Sequence, residues 1–343
     1  MAVARASASW EVGDVRRIAL ALGAVLPLFV FAACGARTGL RDELPDAGPD
    51  PVPTSTGAGG GGQDAGPDVK DAATDPIADQ FVPPDGPSVK VDCVDPTVTY
   101  VYVVTVDEEM YAFNPATGAY TFLAALACPA EPGATPFSMA VNRTGTAFVL
   151  YSSGELFRVS TKNGACQPTA YKPGSLAGFE TFGMGFATIE QGPAETLYVA
   201  ATGQAGGPTG VSALGKIDTQ SFKLSKVGDF KPVQVGAELT GTGDGRLFGF
   251  VSEPSGNGTR IVQIDKGNAA IVAEVKLPSV SLGQGWAFAF WGGSFYMFTA
   301  PGSPRITKYD PSTGEVKVIA NLPSIVVGAG VSTCAPELAI TSA

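Results

Sequence analysis

The chain has 343 residues, 45% of them hydrophobic and 16% charged, with 44 Gly, 27 Pro, 5 Cys and no His. Without His there is no Ser-His-Asp triad, no His-ligated zinc and no His-ligated haem. The net charge of −10 argues against a phosphate-backbone binder, so no nucleic-acid partner is expected.

In chain order the first element is a leader. Arg16 and Arg17 precede an uncharged apolar run from Ile18 to Ala33, which ends in Phe31-Ala32-Ala33-Cys34-Gly35. A basic start, an apolar stretch too short to span a bilayer comfortably and small residues before a cleavage point make 1–33 a signal peptide. The Ala32-Ala33-Cys34-Gly35 end resembles the lipobox of bacterial lipoproteins, with Phe31 where Leu is usual. That resemblance implies a diacylglycerol on Cys34 as the lipidation site, and a membrane partner reached through the lipid anchor. With Gly35 rather than Asp after the Cys, it also implies a cell-envelope protein of the outer membrane. Ordinary secretion or an uncleaved anchor is the alternative for the same residues.

The next segment, 34–90, reads as a disordered tether. Residues 41–90 hold 9 Pro, 10 Asp or Glu and 3 Lys or Arg, and Gly59-Gly60-Gly61-Gly62 interrupts any regular element. So little apolar surface cannot offset the entropy of ordering. Asp46, Asp50, Asp64 and Asp68 raise the question of calcium, but they lack the tight register of a calcium loop, and no metal site is expected.

The remainder, 91–343, repeats. Met110-Tyr111-Ala112-Phe113-Asn114-Pro115-Ala116-Thr117-Gly118 follows the apolar run Tyr100–Val104, and Tyr309-Asp310-Pro311-Ser312-Thr313-Gly314 follows Phe295–Phe298. Comparable runs lead to Gly164, to Asp218 and to Gly267. Gly118 and Gly164 lie 46 residues apart, and Gly267 and Gly314 lie 47 apart. The third copy is longer by the insertion Gly203–Gly210. Each copy reads as strands joined by tight turns, because Pro fixes φ and Gly accepts φ > 0. A strand of small residues precedes copies two to five: Ser138–Val141, Gly183–Ala187, Glu238–Gly241 and Trp286–Phe290. Four strands per repeat of this length make a propeller blade. The expectation is an all-β, five-bladed β-propeller. The first copy lacks an inner strand, and Val327–Cys334 looks like one without a blade. The C-terminal strand should therefore complete blade one.

The Met110–Gly118 and Tyr309–Gly314 motifs resemble the repeats of quinoprotein-type bacterial β-propellers over about 240 residues. Those repeats usually end in a docking Trp, which is missing after Gly118 and Gly314, so no cofactor is expected.

With Cys34 acylated, Cys93, Cys128, Cys166 and Cys334 remain, an even number with three possible connectivities. Cys334 ends the closing strand and Cys93 precedes its partner strand. This favours Cys93–Cys334, and Cys128–Cys166 follows by elimination.

Candidate chemistry is sparse. A propeller hydrolase or lyase would need paired carboxylates in the funnel. Asp244 lies in an Asp-Gly turn, and Glu190 and Glu195 flank Gly192-Pro193, which leaves Glu180 and Glu238 as the catalytic candidates. Period-2 alternation sends Trp286, Phe288 and Phe290 to one face, as packing between blades requires. Trp286 and Trp291 are nevertheless the candidates for stacking on a ligand. The sequence thus favours a binding or scaffolding module for a protein or glycan ligand, with the hydrolase or lyase as the alternative.

Overall fold

The computed structural model describes residues 81, 93, 99–189, 193–201, 212–232, 236–253 and 258–338. The leader, Cys34, the tether apart from Phe81, Glu190 and the Gly203–Gly210 insertion lie outside the described residues. The described residues form strands and turns, with no α-helix among them.

The strands run as a succession of meanders. The first is β1 (Val101–Thr105), β2 (Glu109–Phe113) and β3 (Tyr120–Ala125). The second is β4 (Pro136–Val141), β5 (Thr146–Tyr151), β6 (Leu156–Ser160) and β7 (Cys166–Pro168). The third is β8 (Phe182–Thr188), β9 (Glu195–Ala201), β10 (Ala213–Ile217) and β11 (Leu224–Asp229). The fourth is β12 (Ala237–Gly241), β13 (Leu247–Ser252), β14 (Thr259–Ile264) and β15 (Ile271–Leu277). The fifth is β16 (Trp286–Trp291), β17 (Ser294–Thr299), β18 (Arg305–Asp310) and β19 (Glu315–Asn321), after which β20 (Val326–Val331) ends the series. Five four-stranded sheets result, and the one holding β1 has the order β20-β1-β2-β3. β20 runs antiparallel to β1 with Val101 opposite Val331 and Val103 opposite Ala329. The chain's last strand therefore closes its first blade, as the sequence predicts.

Central strands are covered on both faces by neighbouring blades, so they read as unbroken apolar runs rather than alternating ones. Phe295–Phe298 in β17 and Ala147–Tyr151 in β5 are buried throughout. Outermost strands alternate, as in β15, where Val272, Glu274 and Lys276 are exposed. Each seam between blades is filled from both sides. Between blades four and five, Phe250 stacks on Phe288 at 5.5 Å and Phe248 on Phe290 at 5.9 Å. Each such ring contributes about 1.5–3 kcal/mol by leaving water.

One turn recurs in every blade, between its third and fourth strands. An Asn, Asp or Ser accepts the amide two residues on: Asn114 from Ala116, Ser160 from Lys162, Asp218 from Gln220, Asp265 from Gly267 and Asp310 from Ser312. The residue four on donates its amide to the same residue's carbonyl at 2.7–2.9 Å and takes a left-handed φ. It is Gly118, Gly164, Phe222, Ala269 and Gly314 in turn. Here the sequence register needs correction in blade four. Gly267 sits two residues before the left-handed position, which Ala269 fills with φ 65°. A non-glycine there costs about 1–2 kcal/mol. Phe222 offsets its cost by burying its ring, with the Arg158 guanidinium 4.9 Å above it.

Candidate functional site

The axis of the ring is bounded by the inner strands β4, β8, β12, β16 and β20, and glycine sets how closely they approach. A Cβ on Gly241 would fall 2.1 Å from the Phe186 carbonyl, and one on Gly183 would fall 2.1 Å from that of Ala237. A Cβ on Gly330 would meet the Val141 amide at 2.7 Å, so β20 also lies close against β4. The Phe290 amide donates to Thr240 Oγ1 at 3.1 Å, joining β16 to β12.

Glu238 is only 2% exposed and shares a 2.9 Å hydrogen bond with Ser138 Oγ through its Oε2. Ser138 belongs to blade two and Glu238 to blade four, so the bond reaches past blade three across the axis. Burial drives the Glu238 carboxyl well above the usual carboxylate range, with the Ser138 hydroxyl pulling weakly the other way. Burial disfavours the charged form here, because a buried carboxylate loses its hydration and gains only the one hydroxyl in return.

The other carboxylates considered from sequence sit elsewhere. Glu180 is an exposed loop residue before β8 and accepts the Gly178 amide at 3.1 Å. The shift of Glu238 arises from burial and Ser138, with no contribution from Glu180. Asp244 is buried in its turn, bonded by Thr242 Oγ1 and by Arg246 Nη2 at 2.6 Å, a structural role. Glu195 departs from its local reading. Its Oε1 accepts the Arg143 amide at 2.6 Å and its Oε2 accepts Thr333 Oγ1 at 3.0 Å. Burial raises its pKa, and both hydrogen bonds and the Arg143 charge lower it in part. Spacing in sequence gives no sign of this cluster, whose members come from three blades.

Trp291 is 5% exposed in the seam between blades five and one and donates Nε1–H to the Thr99 carbonyl. Trp286 is half-buried at the start of β16 and donates to the Phe250 carbonyl at 3.0 Å. Both indoles have their polar edge satisfied inside the protein, and Trp291 has no open face for a ligand.

Both disulfides join the residues the sequence pairs. Cys93–Cys334 closes 241 residues with a Cα–Cα distance of 5.6 Å, and Cys128–Cys166 closes 38 residues at 5.0 Å. The first pins a tail that the sequence reading missed. Beyond β20, Thr333 reaches Glu195 and, at 3.3 Å, Arg143. A Cβ on Gly243 would lie 2.3 Å from the Thr333 carbonyl, and the Gly292 amide donates to that of Pro336 at 2.6 Å. Blades two, three, four and five are all touched, each where its inner strand turns into the second. The tail therefore covers that end of the axis.

Among the described residues, no group of three or more Cys, Asp or Glu could hold a metal ion, and no helix is long and apolar enough to cross a membrane. The site defines a closed five-bladed β-propeller with a narrow, small-residue axis. No family model and no curated protein matches the chain. Among solved structures it is similar to the Dos1 propeller, at 11% identity over 68% of this chain and 70% of that one, with a TM-score of 0.36. It is also similar to TolB from Acinetobacter baumannii, at 12% identity, TM-score 0.37, over 65% of this chain and 52% of that one. The tricorn protease is matched at 13% identity and TM-score 0.33 over 65% of this chain. The chain spans about half the length of TolB and a quarter of that of the tricorn chain, at 52% and 25%.

Proposed function

We propose that the protein is a binding or scaffolding module for a protein or glycan ligand, anchored in the cell envelope by a lipid on Cys34 and held off the membrane by residues 34–90. The observation that carries this reading is the axis. Small residues of the inner strands crowd it, and the buried Glu238 within it is tied to the Ser138 hydroxyl. Such a ring is a rigid frame that presents loops, and loops on a rigid frame are where binding usually resides. The quinoprotein-like repeat enters as a likeness of the blade alone, with no cofactor attached to it.

Two disulfides support an oxidising compartment, in accord with the leader that ends at Ala33. Outer-membrane attachment follows from the lipobox resemblance. Labelling with a fatty-acid analogue should mark the parent chain and not Cys34→Ala; equal labelling removes the anchor. For the ligand, the full-length protein in detergent is applied to glycan and peptide arrays. Retention of one ligand class is expected. Turnover of a chromogenic glycoside with no array ligand would replace this reading by the hydrolase.

A further inference from the structure

Between Cys34 and Val98 the chain has a single aromatic residue, Phe81. Although it lies in the most polar stretch of the protein, its ring is buried, with 6% exposure. It packs edge-on against Phe248 at 5.2 Å and tilted against Phe295 at 5.6 Å, in the seam between blades four and five. It lines one side of a cavity of about 360 Å³ whose other walls include Phe290, Arg246 and Ser312. The Arg246 guanidinium, fixed by Asp244 at 2.6 Å, lies 5.4 Å over Phe248 and 5.8 Å over Phe290. The pocket is thus a preformed aromatic box, and the tether's ring is seated in it with space beside.

The sequence after Phe81 is Val82-Pro83-Pro84. Consecutive prolines favour an extended chain that loses little entropy on docking, and aromatic-lined grooves are a recurring receptor for such segments. One aromatic ring leaving water contributes about 1.5–3 kcal/mol, a hold that a competing ring of the same kind can match. We infer that the seam pocket is a docking site for an extended peptide that offers one aromatic side chain followed by proline, and that the chain's own Phe81 occupies it at rest. This names a ligand class for the binding module proposed above and rests on that reading. Phe81 is 12 residues from Cys93, which is bonded to the tail whose Glu337 and Leu338 also line the cavity. A leash of that length presents the occupant at an effective concentration of about 1 mM.

The test titrates the full-length protein in detergent, and its Phe81→Ala variant, with a fluorescein-labelled peptide of residues 78–86, read by anisotropy. Phe81→Ala should bind the peptide about tenfold more tightly than the parent, where the tethered copy competes. Adding Ser312→Trp, which puts an indole at the pocket wall, should abolish that binding. Equal binding to parent and Phe81→Ala, binding that survives Ser312→Trp, or no binding to a folded Phe81→Ala at about 1 mM peptide would each overturn the inference. If Phe81→Ala does not fold, Phe81→Trp carries the test: excess unlabelled peptide should move the introduced indole's emission to the red, and unchanged emission overturns it. An array ligand retained by Phe81→Ala alongside absent peptide binding would leave the module standing and remove this site.

Discussion

Removing the ring-closing disulfide tests the logic of the fold quantitatively. In the chain-entropy account a cross-link stabilises by restricting the unfolded chain, and the gain grows with the logarithm of the loop it closes. Cys93–Cys334 spans 241 residues and Cys128–Cys166 spans 38. The corresponding contributions at 25 °C are about 5.5 and about 3.9 kcal/mol. The double substitution Cys93→Ser/Cys334→Ser should therefore cost about 1.6 kcal/mol more than Cys128→Ser/Cys166→Ser. Guanidinium denaturation followed by tryptophan fluorescence reads this directly. With an m-value of about 5 kcal/mol/M, the first variant's midpoint falls by about 1.1 M and the second's by about 0.8 M. Losing the longer bond also frees the tail from Arg143 and Glu195, which widens the gap. Equal midpoints, or a larger loss for the Cys128–Cys166 variant, would refute the view that the chain ends are held together mainly by this closure.

Gly241→Ala drives a methyl to 2.1 Å from the Phe186 carbonyl and 2.5 Å from Ala187 Cβ, and it should cost about 3 kcal/mol. Gly118→Ala meets nothing within 4 Å and strains only its left-handed φ, so about 1–2 kcal/mol is expected. Thermal melts that rank the two the other way would remove the tight-axis argument. Glu238 has a folded pKa raised well above its unfolded value, so the stability it contributes is complete below about pH 4.5 and declines as pH rises toward the folded pKa. Glu238→Gln should match the parent at pH 4 and gain on it in melting temperature as pH rises above about 4.5; a constant offset across pH would mean that burial does not raise the Glu238 pKa.

Much of the ring can be read from local chemistry, because strands and turns are local. The Asn114-Pro115 and Asp310-Pro311 turns announce their blades, and the apolar Val327–Val331 run without a blade of its own announces the closure. Where the αL position is not glycine, that legibility fails. Phe222 and Ala269 hold the conformation because packing compensates for strain, so Gly267 attracts the register instead. The site is legible only in part for a different reason. Glu195 reads as a turn residue beside Gly192-Pro193, yet its partners are 52 and 138 residues away in sequence. Trp286 and Trp291 look available to a ligand, but their N–H groups are committed to Phe250 and Thr99. Phe81 left a fair clue, a lone aromatic in a polar stretch, which composition averaged over the tether conceals.

Blade one joins the first and last strands described, which has a consequence for the order of biosynthesis. A ribosome adding about 5–20 residues per second makes Cys334 about 10–50 s after Cys93. Cys128 appears only 35 residues after Cys93 and is the next thiol to be made. Maturation in an oxidising environment therefore depends either on delaying oxidation until the last residues arrive or on reshuffling a premature Cys93–Cys128 bond, and an isomerase should accelerate recovery of the native molecule.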